Sequence, residues 1–172
     1  MNYSRRDVLA FGGGLAALAT MATAGGEVVI SMRGTARGEH VWFSPQGLAI
    51  APGTPLRFVN DDPGNSHTAT AYHPSVLDRP LRIPEMAKPW DSDFLLPGQS
   101  FSLTLTVPGV YDYCCQPHEM AGMVGRIIVG HPGDAGWQGP SPESGDLMPE
   151  VLAAFPSVEV ILNAGRIEAK GI

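Results

Sequence analysis

Charge is scarce in this chain. Only 16% of its 172 residues are Asp, Glu, Lys or Arg, and 17 acidic side chains outnumber 11 basic ones, for a net charge of −6. Binding to nucleic acid draws on clustered Lys and Arg that release counterions, so nucleic acid is excluded as a partner. Long apolar runs are also missing: the best one, Val8 to about Ala22, falls short of the ~20 residues a membrane span needs and carries Gly12-Gly13-Gly14. Cysteine is limited to two neighbours, Cys114 and Cys115. An extended strand sends successive side chains to opposite faces, so the pair is poorly placed for a structural disulfide.

What the chain has in quantity is glycine and proline, 21 and 16 residues, beside a 44% hydrophobic content. That balance predicts one globular all-β domain with many turns rather than a helical bundle. Strand-like segments follow one another: Glu27–Met32, two pieces within His40–Ile50 split by Ser44-Pro45-Gln46-Gly47, Thr54–Asn60, and His67–Tyr72. Ser100–Val107 alternates most cleanly, with Phe101, Leu103, Leu105 and Val107 on the core face and Ser102, Thr104 and Thr106 toward water. Val110–Cys115 and Gly122–Val129 complete about seven or eight strands, as a sandwich or small barrel requires.

Two regions break the rhythm. Residues 73–99 hold five prolines without alternation and are expected to form a long ordered loop insertion covering an edge or end of the sheet structure. Residues 131–172 are expected to pack back as a short helical C-terminal tail, with Asp146 and Ser157 as N-caps and Gly165 as a stop. Residues 1–24 resemble a twin-arginine export signal: Ser4, Arg5, Arg6, Val8 and Leu9 match its core, and Ala22-Thr23-Ala24 fits a cleavage site. No cysteine lies there to carry a lipid. A periplasmic or otherwise exported mature protein, not membrane-spanning, is therefore expected.

The chemistry gathers in Tyr111–Gly130. Cys115, His118 and Met123 form C-x2-H-x4-M, with Pro117 stiffening the backbone just before the histidine. A loop joining two strands at these positions can bring a thiolate, an imidazole and a thioether around one point. A histidine from another strand would complete two imidazoles, a thiolate and a weak axial thioether, the donor set of blue-copper electron-transfer sites. His67, at a strand start after the turn-rich Asp61–Ser66, is the candidate. Of the two cysteines, Cys115 has the spacing to His118, while alternation turns Cys114 to the other face as a small buried residue. His40, His73 and His131 are expected to face solvent or bond locally, and Met120 to contribute exposed apolar surface.

Tyr111, Tyr113, Cys115, Pro117, His118, Gly122, Met123, Gly125 and Ile127-Ile128-Val129 resemble the plastocyanin and pseudoazurin group of cupredoxins, and the likeness runs back loosely through Phe43–Thr68. The resemblance implies a Greek-key β-sandwich over residues 25–130 and one type 1 copper ion on His67, Cys115, His118 and Met123. It departs from the group at Thr68, where Asn usually ties the ligand strands together, and at Cys114, usually a bulky residue. The function it implies is single-electron transport between periplasmic redox partners by a monomer that docks transiently near His118. No enzyme activity is expected, since this chain has no His-x-His or His-Cys-His sequence of the kind multicopper catalysts use. The alternative is a periplasmic copper chaperone or storage protein using His118, Met120 and Cys114 beside Cys115.

Overall fold

The computed structural model describes residues 26–142 and 147–169. The export signal expected in residues 1–24 and the cap expected at Asp146 lie outside the described residues. Nine strands occur among the described residues: β1 (Val28–Gly34), β2 (Val41–Ser44), β3 (Gly47–Ile50), β4 (Pro55–Asn60), β5 (Thr70–Ala71), β6 (Ser100–Thr104), β7 (Gly109–Cys114), β8 (Val124–Val129) and β9 (Arg166–Ile167). They form two sheets, ordered β2-β1-β4-β6 and β5-β7-β8-β3-β9. The chain crosses between the sheets at Ser44-Pro45-Gln46: β2 pairs antiparallel with β1, while β3 lies parallel to β8. Proline suits that corner because it has no N–H to give to either ladder.

Alternation decides which side chains meet between the sheets. Ile30, Met32, Phe43, Leu56 and Phe58 from the first sheet pack on Tyr111, Tyr113, Ile127 and Val129 from the second, all nearly or wholly buried. Phe43, Phe58 and Tyr113 meet edge to face with centroids 4.8–6.2 Å apart, the arrangement aromatic quadrupoles favour. On β6, Phe101 and Leu103 turn toward this core while Ser100, Ser102 and Thr104 are exposed. The strand ends at Thr104, although Leu105 remains buried.

The second sheet departs from simple alternation, because every residue of β7 and β8 is buried. Their outer face is covered by the C-terminal tail. Helices α1 (Pro149–Ala154) and α2 (Val158–Ala164) supply Val151 and Ile161, and Phe155 follows α1 as its C-cap, against Cys114, Val124, Val110 and Ile128. The Ser157 side chain accepts from the Val160 N–H as an N-cap, and Gly165, at φ 73°, ends α2.

Residues 73–99 are threaded along the β5 edge. Ala71 N–H donates to the Trp90 carbonyl, Ser92 N–H to Ala69, and His67 and Leu95 exchange both backbone hydrogen bonds. His67–Tyr72 reads as a strand, but only Thr70–Ala71 pairs with β7, because His67 and Ala69 bond to this returning segment and Thr68 N–H turns to Cys115 Sγ. Ile83, Ala87, Trp90 and Leu95 of the insertion enter the main core.

Candidate metal centre

The alternation of β7 sends Tyr111, Tyr113 and Cys115 to the core between the sheets and Cys114 to the opposite side, against Tyr72, Val124 and Phe155. Cys115 is followed by a 3-10 helix, Gln116–Ala121, with Pro117 in its first turn. Gly122 closes that turn at φ 79°, a conformation that suits glycine, and its N–H donates to the Glu119 carbonyl. The loop is held as one unit. His118 N–H bonds to the Cys115 carbonyl at 3.0 Å, Met123 N–H to His118 at 3.2 Å, and Cys115 N–H to Met123 at 3.0 Å.

Across this loop stands His67, fixed by its backbone pair with Leu95. Its Nδ1 lies 3.1 Å from His118 Nδ1 and 3.5 Å from Cys115 Sγ, which is 3.3 Å from His118 Nδ1. A point equidistant from the three atoms would be about 1.9 Å from each, close to the ~2.0–2.3 Å of metal–nitrogen and metal–sulfur bonds. The triangle fits one small ion. Met123 is wholly buried in the same core cluster as Cys115, immediately before β8. His67 and Cys115 are also fully enclosed, whereas His118 is half-buried and is the donor nearest solvent.

The ionisation of the donors suits a metal whose uptake displaces a proton. Burial pushes the Cys115 thiol up to about 11, against hydrogen bonds from the Thr68 and His118 backbones that favour the thiolate. His118 is held below the ordinary histidine range by burial and by the neighbouring His67, which keeps a neutral imidazole available as a donor. Metal uptake then releases the thiol proton.

Around the donors lies a frame of polar side chains that spacing alone did not single out. His67 Nε2 donates to the buried Asp62 carboxylate at 2.9 Å, which fixes the tautomer and leaves Nδ1 free to face Cys115 and His118. Thr68 ties the His67 segment to the Cys115–Gln116 segment. Its N–H points at Cys115 Sγ at 3.3 Å, and its hydroxyl accepts from Gln116 N–H at 2.9 Å. Thr70 Oγ1 lies 2.9 Å from both Thr68 Oγ1 and Asp91 Oδ1, and the Gln116 side-chain amide donates to Thr70 and Asp91. Thr68→Val keeps the shape but leaves the Gln116 N–H unpaired, so urea denaturation should show a loss of ~1–3 kcal/mol. Unchanged stability would refute this role.

Cys114 has its own surroundings. Burial, and then the negative charge of Glu119, push its thiol up to about 12. The Tyr72 hydroxyl donates to Glu119 Oε1 at 2.6 Å, and Arg79 reaches Glu119 Oε2 at 2.6 Å. The residue after His118 is thereby anchored to the insertion. His40 and His131 are exposed, and the half-buried His73 bonds locally to Ser75. Met120 is 63% exposed.

The family model for copper binding proteins of the plastocyanin/azurin family matches residues 30–130, and the chain belongs to that family. It is similar to chloroplastic plastocyanins of Oryza sativa subsp. indica (34% identical over 120 residues, 67% of this chain and 75% of the relative) and Hordeum vulgare (33% over 134, 73% and 83%). Among solved structures, a pseudoazurin from Sinorhizobium is 31% identical over 63% of this chain and 76% of that one, at a TM-score of 0.49. The chain is a cupredoxin: a copper protein of electron transfer whose sandwich is extended by an insertion and a covering tail.

Proposed function

We propose that this protein carries single electrons between redox partners on the exported side of a membrane, most simply in the periplasm, using one type 1 copper ion held by His67, Cys115, His118 and Met123. The observation that carries this is the buried triangle of one thiol and two imidazole nitrogens, 3.1–3.5 Å apart, fixed by backbone bonds and by Asp62 and Thr68. Donors that are already in place need little rearrangement when the metal changes charge, and small rearrangement favours fast electron exchange over binding and transforming a substrate. When bound, copper supplies the redox couple. The protein supplies the fixed donors, the exclusion of water and a surface through which His118 can be approached.

That surface is where partners would dock. Pro117, Met120 and Ala121 are exposed around the half-buried His118 edge, and Phe94 and Leu96 are exposed on either side of Leu95, the backbone partner of His67. A small apolar rim suits brief encounters between electron-transfer proteins. The copper-chaperone alternative draws on His118 and Met120 beside Cys115; a contribution from Cys114 is disfavoured, because its side chain lies on the opposite face, in the cluster with Tyr72 and Phe155.

Two measurements test the proposal. Purified protein titrated with Cu(II) should develop an intense visible thiolate-to-copper band with one ion per chain, and voltammetry should give a reversible one-electron wave. A colourless complex, or copper that passes to apo acceptors without a reversible wave, would sink it.

A further inference from the structure

Resting on the copper reading above, we propose that Asp62 is a positioning and potential-setting residue: a buried fixed negative charge, hydrogen-bonded to a copper ligand, that favours the oxidised metal.

The carboxylate is built into place. Asp62 is 1% exposed, and His67, to which it is joined, is wholly enclosed. Asp62 Oδ2 accepts from His67 Nε2 at 2.9 Å and from the Asn65 side-chain amide at 2.8 Å, while Oδ1 accepts from Gly64 N–H at 2.8 Å. Its own N–H donates to Asn60 Oδ1 at 3.0 Å, and the Asn60 amide donates in turn to the carbonyls of Asn65 and Leu95. Space is reserved for it by Gly34 at the end of β1, where a Cβ would collide with the Asp62 carboxylate. Every partner of the carboxylate is a donor, so the pocket is made for an anion.

The consequence for copper follows from charge. An imidazole whose far nitrogen donates to a carboxylate is a stronger electron donor than one donating to a neutral acceptor. Thiolate and carboxylate together balance the two charges of Cu(II). Reduction adds one electron to the metal and leaves one uncompensated negative charge among buried groups, where screening is weak. The oxidised form is therefore favoured.

The test compares the wild type with Asp62→Asn, whose amide oxygen can still accept from His67 while the charge is gone. With the visible band retained, the ratio of reduced to oxidised protein at a fixed ambient potential should rise tenfold or more, a shift of at least 59 mV for one electron. A smaller rise, or a fall, with the band intact overturns the inference. Should Asp62→Asn fail to fold or hold copper, nitrogen NMR of the reduced wild type decides. A protonated His67 Nε2, its proton shifted downfield of the His118 ring N–H and slower to exchange, supports the charged hydrogen bond. An unprotonated His67 Nε2, or one exchanging as fast as that of His118, refutes it. A wild type without the visible band would overturn the copper reading itself, and this inference with it.

Discussion

Cys115→Ser should abolish the intense visible band of the copper-loaded protein, while Cys114→Ser should leave the band in place. The two residues are adjacent, yet their side chains belong to different layers: Cys115 Sγ is 3.3 Å from His118 Nδ1 and 3.5 Å from His67 Nδ1, whereas Cys114 packs with Tyr72, Val124 and Phe155 under the tail. A hydroxyl in place of Cys115 offers neither the soft anionic donor nor the charge-transfer transition, so any residual metal complex should be pale and weakly held. At Cys114 the loss is one buried, weakly bonding sulfur, and the expected effect falls on stability rather than colour. The same geometry predicts how the thiols react in copper-free native protein. Both are nearly or wholly buried and held protonated, with values near 12 and 11, so alkylation at pH 7 should be slow at each and fast only on unfolding. A band that survives Cys115→Ser and vanishes in Cys114→Ser would reverse the assignment of the sulfur.

That assignment was legible from local rules, since period-two alternation along Tyr111–Cys115 and the C-x2-H-x4-M spacing need only neighbouring residues. His67 was legible less directly, by its place after a turn-rich loop and by resemblance, because the contact between His67 and Cys115 spans 48 positions. The frame around the donors was not legible. Asp61 and Asp62 read together as a polar loop, yet one is exposed and the other is 1% exposed beneath a ligand histidine. Nothing in their spacing distinguishes them; the difference is made by Gly34, which arrives from β1, and by the Asn65 amide folding back within the same loop. Thr68 looked like a departure from the pattern, and its tying role appears only once Gln116 and Thr70 are placed beside it. The outer face of β7 and β8 shows the same limit. Alternation predicts two faces, but whether the second meets water depends on a tail whose first helix begins 20 residues beyond the end of β8.

The largest loss of stability is expected from Asp112→Ala, where those long-range elements converge. Asp112 is wholly buried on the outer face of β7, directly across from Arg126 of β8. Its carboxylate accepts from Arg126 Nε at 2.7 Å and Nη2 at 3.0 Å, and from Arg82 Nε at 3.0 Å and Nη2 at 2.9 Å. Arg82 comes from the insertion and also donates to the Pro142 carbonyl, while Arg126 donates to Pro156, and both guanidiniums stack on Phe155 at 5.1–5.3 Å. One carboxylate thus joins two strands, the insertion and the tail. Its removal leaves two cations confined with no counter-charge from Asp112, a change that costs ~3–5 kcal/mol when a buried pair is broken from one side. Urea denaturation of the copper-free protein should register that loss as a lower midpoint, and native Asp112→Ala should still form the visible band, because Asp112 faces away from Cys115. If the charges stabilise chiefly by satisfying one another, replacing Asp112, Arg82 and Arg126 together with apolar residues of similar volume should recover most of the stability. A loss below about 1 kcal/mol in Asp112→Ala would show that Arg82 and Arg126 reach other partners, and that Asp112 is not what fastens the insertion and the tail to the sheet.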